Sequence, residues 1–444
     1  MASSGGTGVQ AAPAPPPPPT RPAPTGTSVA PTSGAVGASA TPSLPSLRGG
    51  SDVPTALARW QAGLIVLVTV WALVTVALLA GSFQAGRAGA ANTAQLTRIN
   101  AIESNLFRAD AIATNAFLVG GLEPAEQRAA YDAALEEVNG LIIAAADAQP
   151  ADREALAVLN TQVLRYAEQM QQARANNRQG LPVGAQYLRE ASAQLRAETL
   201  PVLDALITAN EERATSAFSA HQPIVVALPG VIVLLFLGWF NQRLAHVFHR
   251  RFNVGLVGAA AVVALLTIAA TAVTWSVRTD SERLQQGDFA TAVQTSAAKT
   301  AANDAKSNES LRLISRGSGA AFEEAWAGAD GRVRDLVADD TELTDAWAAY
   351  AVAHASIVEA DEGGDWEGAV QQAVSTEEGS ASDLFNAFDE RAEVVVAEAS
   401  ERVAEGLTAG GWRVVVAALG TVLAAGLAIA AIAWGMIARR REFG

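Results

Sequence analysis

Two uncharged apolar runs, residues 223–240 and 254–275, flank a short segment at the middle of the chain, residues 241–252. That segment holds Arg243, Arg250 and Arg251 and no acid. The arrangement reads as two membrane helices joined by a basic loop, and short basic loops stay on the cytoplasmic side. Two further runs free of Asp, Glu, Lys and Arg lie at residues 61–81 and 414–437. At about 1.5 Å per residue, 21 residues cross a hydrocarbon layer of about 30 Å. The chain thus repeats one plan: membrane helix, polar segment, membrane helix.

The expected division is a Pro/Ala-rich disordered cytoplasmic tail (1–58), a first membrane helix (59–82) and a first extracytoplasmic four-helix bundle (83–222). A second membrane helix (223–240), the basic loop (241–252) and a third membrane helix (253–276) follow. A second four-helix bundle (277–411), a fourth membrane helix (412–438) and a basic tail (439–444) complete it. The fold class is therefore an all-α membrane protein with four transmembrane helices and two bundles in tandem. The tail has almost no large apolar residues and cannot bury enough surface to offset its ordering entropy. It is not read as a signal peptide, because no apolar core follows Met1.

Charge supports the topology. Residues 86–221 carry 16 acids against 11 arginines, and residues 280–405 carry 27 acids against 9 basic residues. The tails and the central segment carry an excess of arginine. Lys and Arg near membrane helices mark the cytoplasmic side, so both termini are expected there, in the cell membrane. No folded segment is basic, which argues against nucleic-acid binding. The chain has no cysteine, which excludes disulfides and thiol nucleophiles.

Each polar segment reads as four helices. In the first, Leu96, Ile99, Leu106, Ala113 and Phe117 recur at three- and four-residue steps. Breaks fall at Gly120-Gly121, Gln149-Pro150 and 179–182, with Pro124 in a first turn, Asp152 as a cap and a kink at Pro201. In the second, breaks fall at 317–319, 339–340 and Gly363-Gly364. The two segments echo each other. Ala109-Asp110, Thr114-Asn115 and Leu118 match Ala302-Asn303, Ser307-Asn308 and Leu311 at an offset of 193. Leu200, Leu203 and Asp204 match Phe385, Phe388 and Asp389.

No catalytic or metal site is expected, and no cofactor. The four histidines lack partners at metal or triad spacing. His354 reads as a surface or groove histidine, and the acids of the second segment as a solvated face. The polar set Asp110, Asn115, Asn303 and Asn308 lies on helices that are otherwise apolar inside, so it either pairs internally or contacts a ligand or partner. Arg98 and Arg108 are candidate partners for a ligand carboxylate. Arg243, Arg250 and Arg251 are candidate contacts for a cytoplasmic effector. The membrane runs hold no ionisable Asp, Glu, Lys or Arg, which argues against ion-coupled transport.

Residues 114–121, Thr-Asn-Ala-Phe-Leu-Val-Gly-Gly, followed by Tyr131, resemble the turn between helices one and two in four-helix-bundle sensor domains of bacterial chemoreceptors and sensor histidine kinases. The overall layout is similar to actinobacterial tandem-bundle membrane sensors encoded beside a glutamine-binding lipoprotein and a serine/threonine kinase. About seven residues follow the last apolar run, so the resemblance implies a separate cytoplasmic effector, the kinase, and an amino-acid cue delivered by an extracytoplasmic substrate-binding lipoprotein. The expected function is a non-catalytic sensor. The alternative is an envelope scaffold that recruits partners without a ligand response.

Overall fold

The computed structural model describes residues 53–119, 123–248 and 253–440. Residues 1–52 of the expected disordered tail, the Gly120-Gly121 break, Arg250, Arg251 and the last four residues lie outside them, whereas residues 53–58, expected in that tail, form the start of the first helix. The described residues are helical, with no strand among them.

Helix α1 runs from Val53 to Val119 without interruption. It is followed by α2 (Ala125–Ala148), α3 (Arg153–Arg178), α4 (Val183–Gln194) and α5 (Leu200–Ser219). Leu195–Thr199 forms a π turn between α4 and α5. Pro201 has no N–H to donate into the preceding turn, so the helix widens there instead of kinking at the proline. Asp152 does not cap α3 with its side chain. Its carboxylate turns inward to Arg213 Nη1 at 2.8 Å and Asn210 Nδ2 at 2.9 Å, because a charge-assisted bond in a buried site outweighs a cap open to water.

Helix α6 (Pro223–Phe248) carries the second apolar run and continues eight residues beyond it. Most of the segment read as a loop is thus helical, and Arg243 stands exposed on the helix. Asn253 caps α7 (Val254–Leu284) by accepting from the N–H of Gly255. A second π turn, Gln285–Phe289, joins α7 to α8 (Ala290–Ile314). Then come α9 (Ala320–Leu336), α10 (Thr341–Glu362), α11 (Trp366–Val374), α12 (Ala381–Ala409) and α13 (Gly411–Arg440). Gly317 and Gly364 turn the chain at positive φ, +77° and +83°, where a Cβ would be strained. The last helix of the second segment is divided, with Ser375–Ser380 separating short α11 from α12.

Among the described residues, four helices are long and apolar enough to cross a membrane. Their apolar stretches lie in α1, α6, α7 and α13. Leu79, Val226, Ala270, Val277 and Val414 bring all four together. Close approach is built from small residues. A Cβ on Gly230 would strike Thr267, and one on Gly255 would strike the backbone at Ala431 and Gly435. Without a hydrophobic drive between helices in lipid, such contacts supply the packing.

The polar parts form two apolar cores. The first is built from α1 to α5 around Ile99, Leu106, Val138, Leu159, Met170 and Leu203. The second is built from α8 to α12 around Val333, Trp347, Tyr350 and Phe388. Each such fully buried large side chain contributes roughly 1.5–3 kcal/mol. The cores are joined at both ends. Leu118 of α1 sits in the second core, and Ile314 of α8 packs against both. At the end next to the four apolar helices, Phe218 meets Phe289 edge to face at 5.2 Å among Leu96, Val403 and Leu407.

Candidate functional site

Helix one of each half, α1 and α8, carries the polar residues singled out by sequence, and the structure sorts them into two grooves between the halves. Asp110 closes the first. It is fully buried and accepts from Ser192 Oγ at 2.6 Å, Ser307 Oγ at 2.6 Å, Tyr166 Oη at 3.2 Å and Arg196 Nη1 at 3.2 Å. Arg196 continues across to Asp304 of α8 at 2.8 Å, and Arg332 reaches the same carboxylate at 3.3 Å. Asn308 donates to Asp304 Oδ1 at 3.2 Å. Burial opposes the Arg196 charge, but Asp110 and Asp304 outweigh it and hold the guanidinium protonated. Sequence reasoning missed Arg196 and Asp304. Arg196 lies inside the π turn, which is the device that aims it between the halves.

The second groove is open. Arg108, Asn115 and Asn303 line a cavity of about 290 Å³ between α1 and α2 on one side and α8 and α12 on the other. Asn115 donates to the Ala373 carbonyl at 3.0 Å and accepts from Gln127 at 3.2 Å. Asn303 donates to Asp389 at 3.1 Å and to the Lys299 carbonyl. Its Oδ1 and the Oε1 of Gln127 are buried without a partner. A neighbouring cavity of about 450 Å³ shares Arg108. Arg98 lies ten residues before Arg108, about 15 Å along one helix, and bonds Gln95 instead. Arg98 lines neither cavity, so the structure does not bring the two arginines together.

A third cluster corrects the reading of His354 as a surface or groove residue. It is buried, stacked on Trp326 at 3.7 Å, with Nδ1 at 2.9 Å from Glu309 and Nε2 at 3.4 Å from Glu323. Glu309 also takes Lys306 Nζ at 2.6 Å and Tyr350 Oη at 3.1 Å. Burial opposes ionisation of Glu309, but Lys306 and His354 outweigh it and hold its pKa at about 2. Burial likewise works against charged His354, yet its hydrogen bonds to Glu309 and Glu323 prevail and raise its pKa. Glu309 is thus not part of a solvated face, whereas Glu324, Asp335, Glu342, Glu377 and Glu398 are exposed as that reading expects. A histidine alone in sequence finds its partners on α8 and α9.

Glu103 of α1 spans the halves, accepting from Thr300 Oγ1 of α8 at 3.3 Å. Burial, reinforced by the nearby Asp204, pushes its pKa up to about 7.

Residues 84–219 match the family model described as the actinobacterial sensor domain, which supports a sensor domain of that type over the first half's polar part. No curated protein and no solved structure matches the chain.

Proposed function

We propose that the chain is a non-catalytic transmembrane sensor that relays an extracytoplasmic signal to a separate cytoplasmic effector. The observation that carries this reading is continuity. Helix α1 passes unbroken from its apolar stretch, through the residues that match the sensor family, to the tip of the first core. A displacement of the polar part has a direct path to the apolar part, and small shifts between two packed arrangements are an established means of switching. On this reading the two cores are two four-helix sensor modules in tandem, the four apolar helices span the cell membrane, and both termini face the cytoplasm.

The proposed cue is an amino acid, free or loaded on an extracytoplasmic substrate-binding lipoprotein. The proposed effector is a serine/threonine kinase that docks on Arg243, Arg250 and Arg251. Arginines there also lie within reach of anionic lipid, at about 1 kcal/mol each. Pull-down of the full chain with a binding protein, with and without amino acid, tests the input. Amino-acid-dependent capture supports the sensor, whereas capture indifferent to amino acid favours the scaffold. Replacing the three arginines by Gln is expected to abolish effector capture and leave binding-protein capture intact, with insertion checked by thiol labelling of introduced cysteines. Normal effector capture by a correctly inserted triple variant would sink this output route.

A further inference from the structure

The two grooves between the halves are copies of one another that have been filled differently. Asp110 of α1 and Asn303 of α8 occupy equivalent positions, and Asp304 of α8 corresponds to Ala111 of α1. In the closed groove, helix four of the first half sends the Arg196 guanidinium between Asp110 and Asp304. In the open groove, helix four of the second half carries Ala381 and Ser382 at the corresponding place. The π turn adds one residue on the first side, so Arg196 falls against this pair. Ala111, Ser382 and Asn303 all line the 290 Å³ cavity. A donor-rich cation fills one groove, and short side chains leave space in the other.

The open groove has acceptors of a different kind, with neutral Asn303 where Asp110 stands and only Ala111 where Asp304 stands. Asn303 is fully buried, its Nδ2 is engaged by Asp389 and the Lys299 carbonyl, and its Oδ1 has no partner. Gln127 Oε1, on the facing wall, also has none. A buried acceptor left unpaired costs about 1–3 kcal/mol, and both belong to side chains that line this cavity. The local charge has the same sign. Glu126, Asp389 and Glu390 line the cavity. Of the two cations that line it, Lys306 is bound to Glu309 at 2.6 Å and Arg108 stands at the solvent edge. Lys299, which does not line it, approaches Asp389 at 3.8 Å but bonds Glu393 at 3.1 Å.

We infer that this cavity binds a small organic cation, its guanidinium or ammonium head donating to Asn303 Oδ1 and Gln127 Oε1 where Arg196 donates in the opposite groove. The volume sits at the small end of ligand sites, and the walls come from both halves, so an occupant would fix one half against the other. This deepens the sensor reading, in that the occupant would be a cue read directly, without a binding protein.

The test is calorimetric titration of the purified full chain in lipid nanodiscs with agmatine, which carries both heads, with putrescine and methylguanidinium to separate them, and with glutarate as an anion of similar length. One saturable site per chain for agmatine is expected, with none for glutarate. Asn303→Leu removes the inner acceptor and Ser382→Arg supplies the missing guanidinium from the protein itself. Each is expected to weaken agmatine at least tenfold. Should either variant lose its helical signal, Gln127→Leu, on a part-exposed helix face, carries the same test with an expected loss of threefold or more. No binding of any cation, equal binding of glutarate, or unchanged affinity in the folded variants would overturn the inference. Because titration reads occupancy alone, binding without a downstream response would count against the sensor reading and leave the site standing.

Discussion

Individual residues show how charge is handled at the contact between the halves. Glu103 is mostly buried beside Asp204, and its folded pKa of about 7 exceeds its ordinary 4.5. An acid whose folded pKa is raised loses stability as pH rises between the two values, because the unfolded state gives up its proton first. Glu103→Gln is therefore expected to stabilise the chain at pH 8, by about 2–3 kcal/mol, and to have little effect at pH 4. Thermal melting of the full chain at the two pH values checks this, and equal effects at both would refute it. His354 has a raised folded pKa, facing Glu309, Glu323, Lys306 and Tyr350. Its contribution is complete below 6.5 and lost as pH rises through the raised value, whereas that of Glu309 is lost only as pH falls from 4.5 toward about 2. The second half is expected to be firmest between about pH 4.5 and 6.5. Its loss above that window should vanish in His354→Gln. Trp326, stacked on the imidazole, reports the protonation through its fluorescence, and a pH-independent signal would contradict it.

At the scale of the element, much was legible in sequence and some was not. The apolar runs locate the four long apolar helices, because an uncharged stretch of 18 residues or more has few other uses. The breaks at Gln149-Pro150, 179–182 and Gly363-Gly364 fall between helices because Gly and Pro act locally. The helical continuation of α6 to Phe248 was not legible, since polar residues there resemble a loop when only hydropathy is followed. The π turns were also hidden. They carry no composition signature, yet one of them aims Arg196 at Asp110 and Asp304, 108 residues apart for the latter. That separation is why half of the candidate site went unseen: Asp110 and Asn303 stand out as polar residues on apolar helices, but what pairs with them depends on tertiary packing. The helix contacts in the apolar layer make a prediction of their own. Gly255→Ala would press a methyl group into the backbone of α13, whereas Gly258 has open space. Overpacking of this kind costs typically about 1–3 kcal/mol, so Gly255→Ala should lower the melting temperature in detergent and Gly258→Ala should not. Equal behaviour of the two would show that α7 and α13 do not meet there.

The whole molecule is best understood as one chain whose two halves pack on each other where separate copies of a protein would otherwise have to associate. Both ends of the polar part support this, through Leu118 in the second core and Phe218 on Phe289, and the ionic bridge from Arg196 to Asp304 lies between them. A cue held between halves, or pressing on one of them, would then be read within a single polypeptide, and the cooperative unit would not depend on protein concentration. Thr97 of α1 and Ser400 of α12 lie with their hydroxyl oxygens 3.3 Å apart across this contact, and the native chain has no cysteine to interfere. Oxidation of a Thr97→Cys/Ser400→Cys double variant in native membranes, read on non-reducing gels, measures the contact directly. A fast disulfide within the monomer, independent of expression level, is the predicted result. Crosslinks that form only between chains, or none while each half remains folded, would contradict the account.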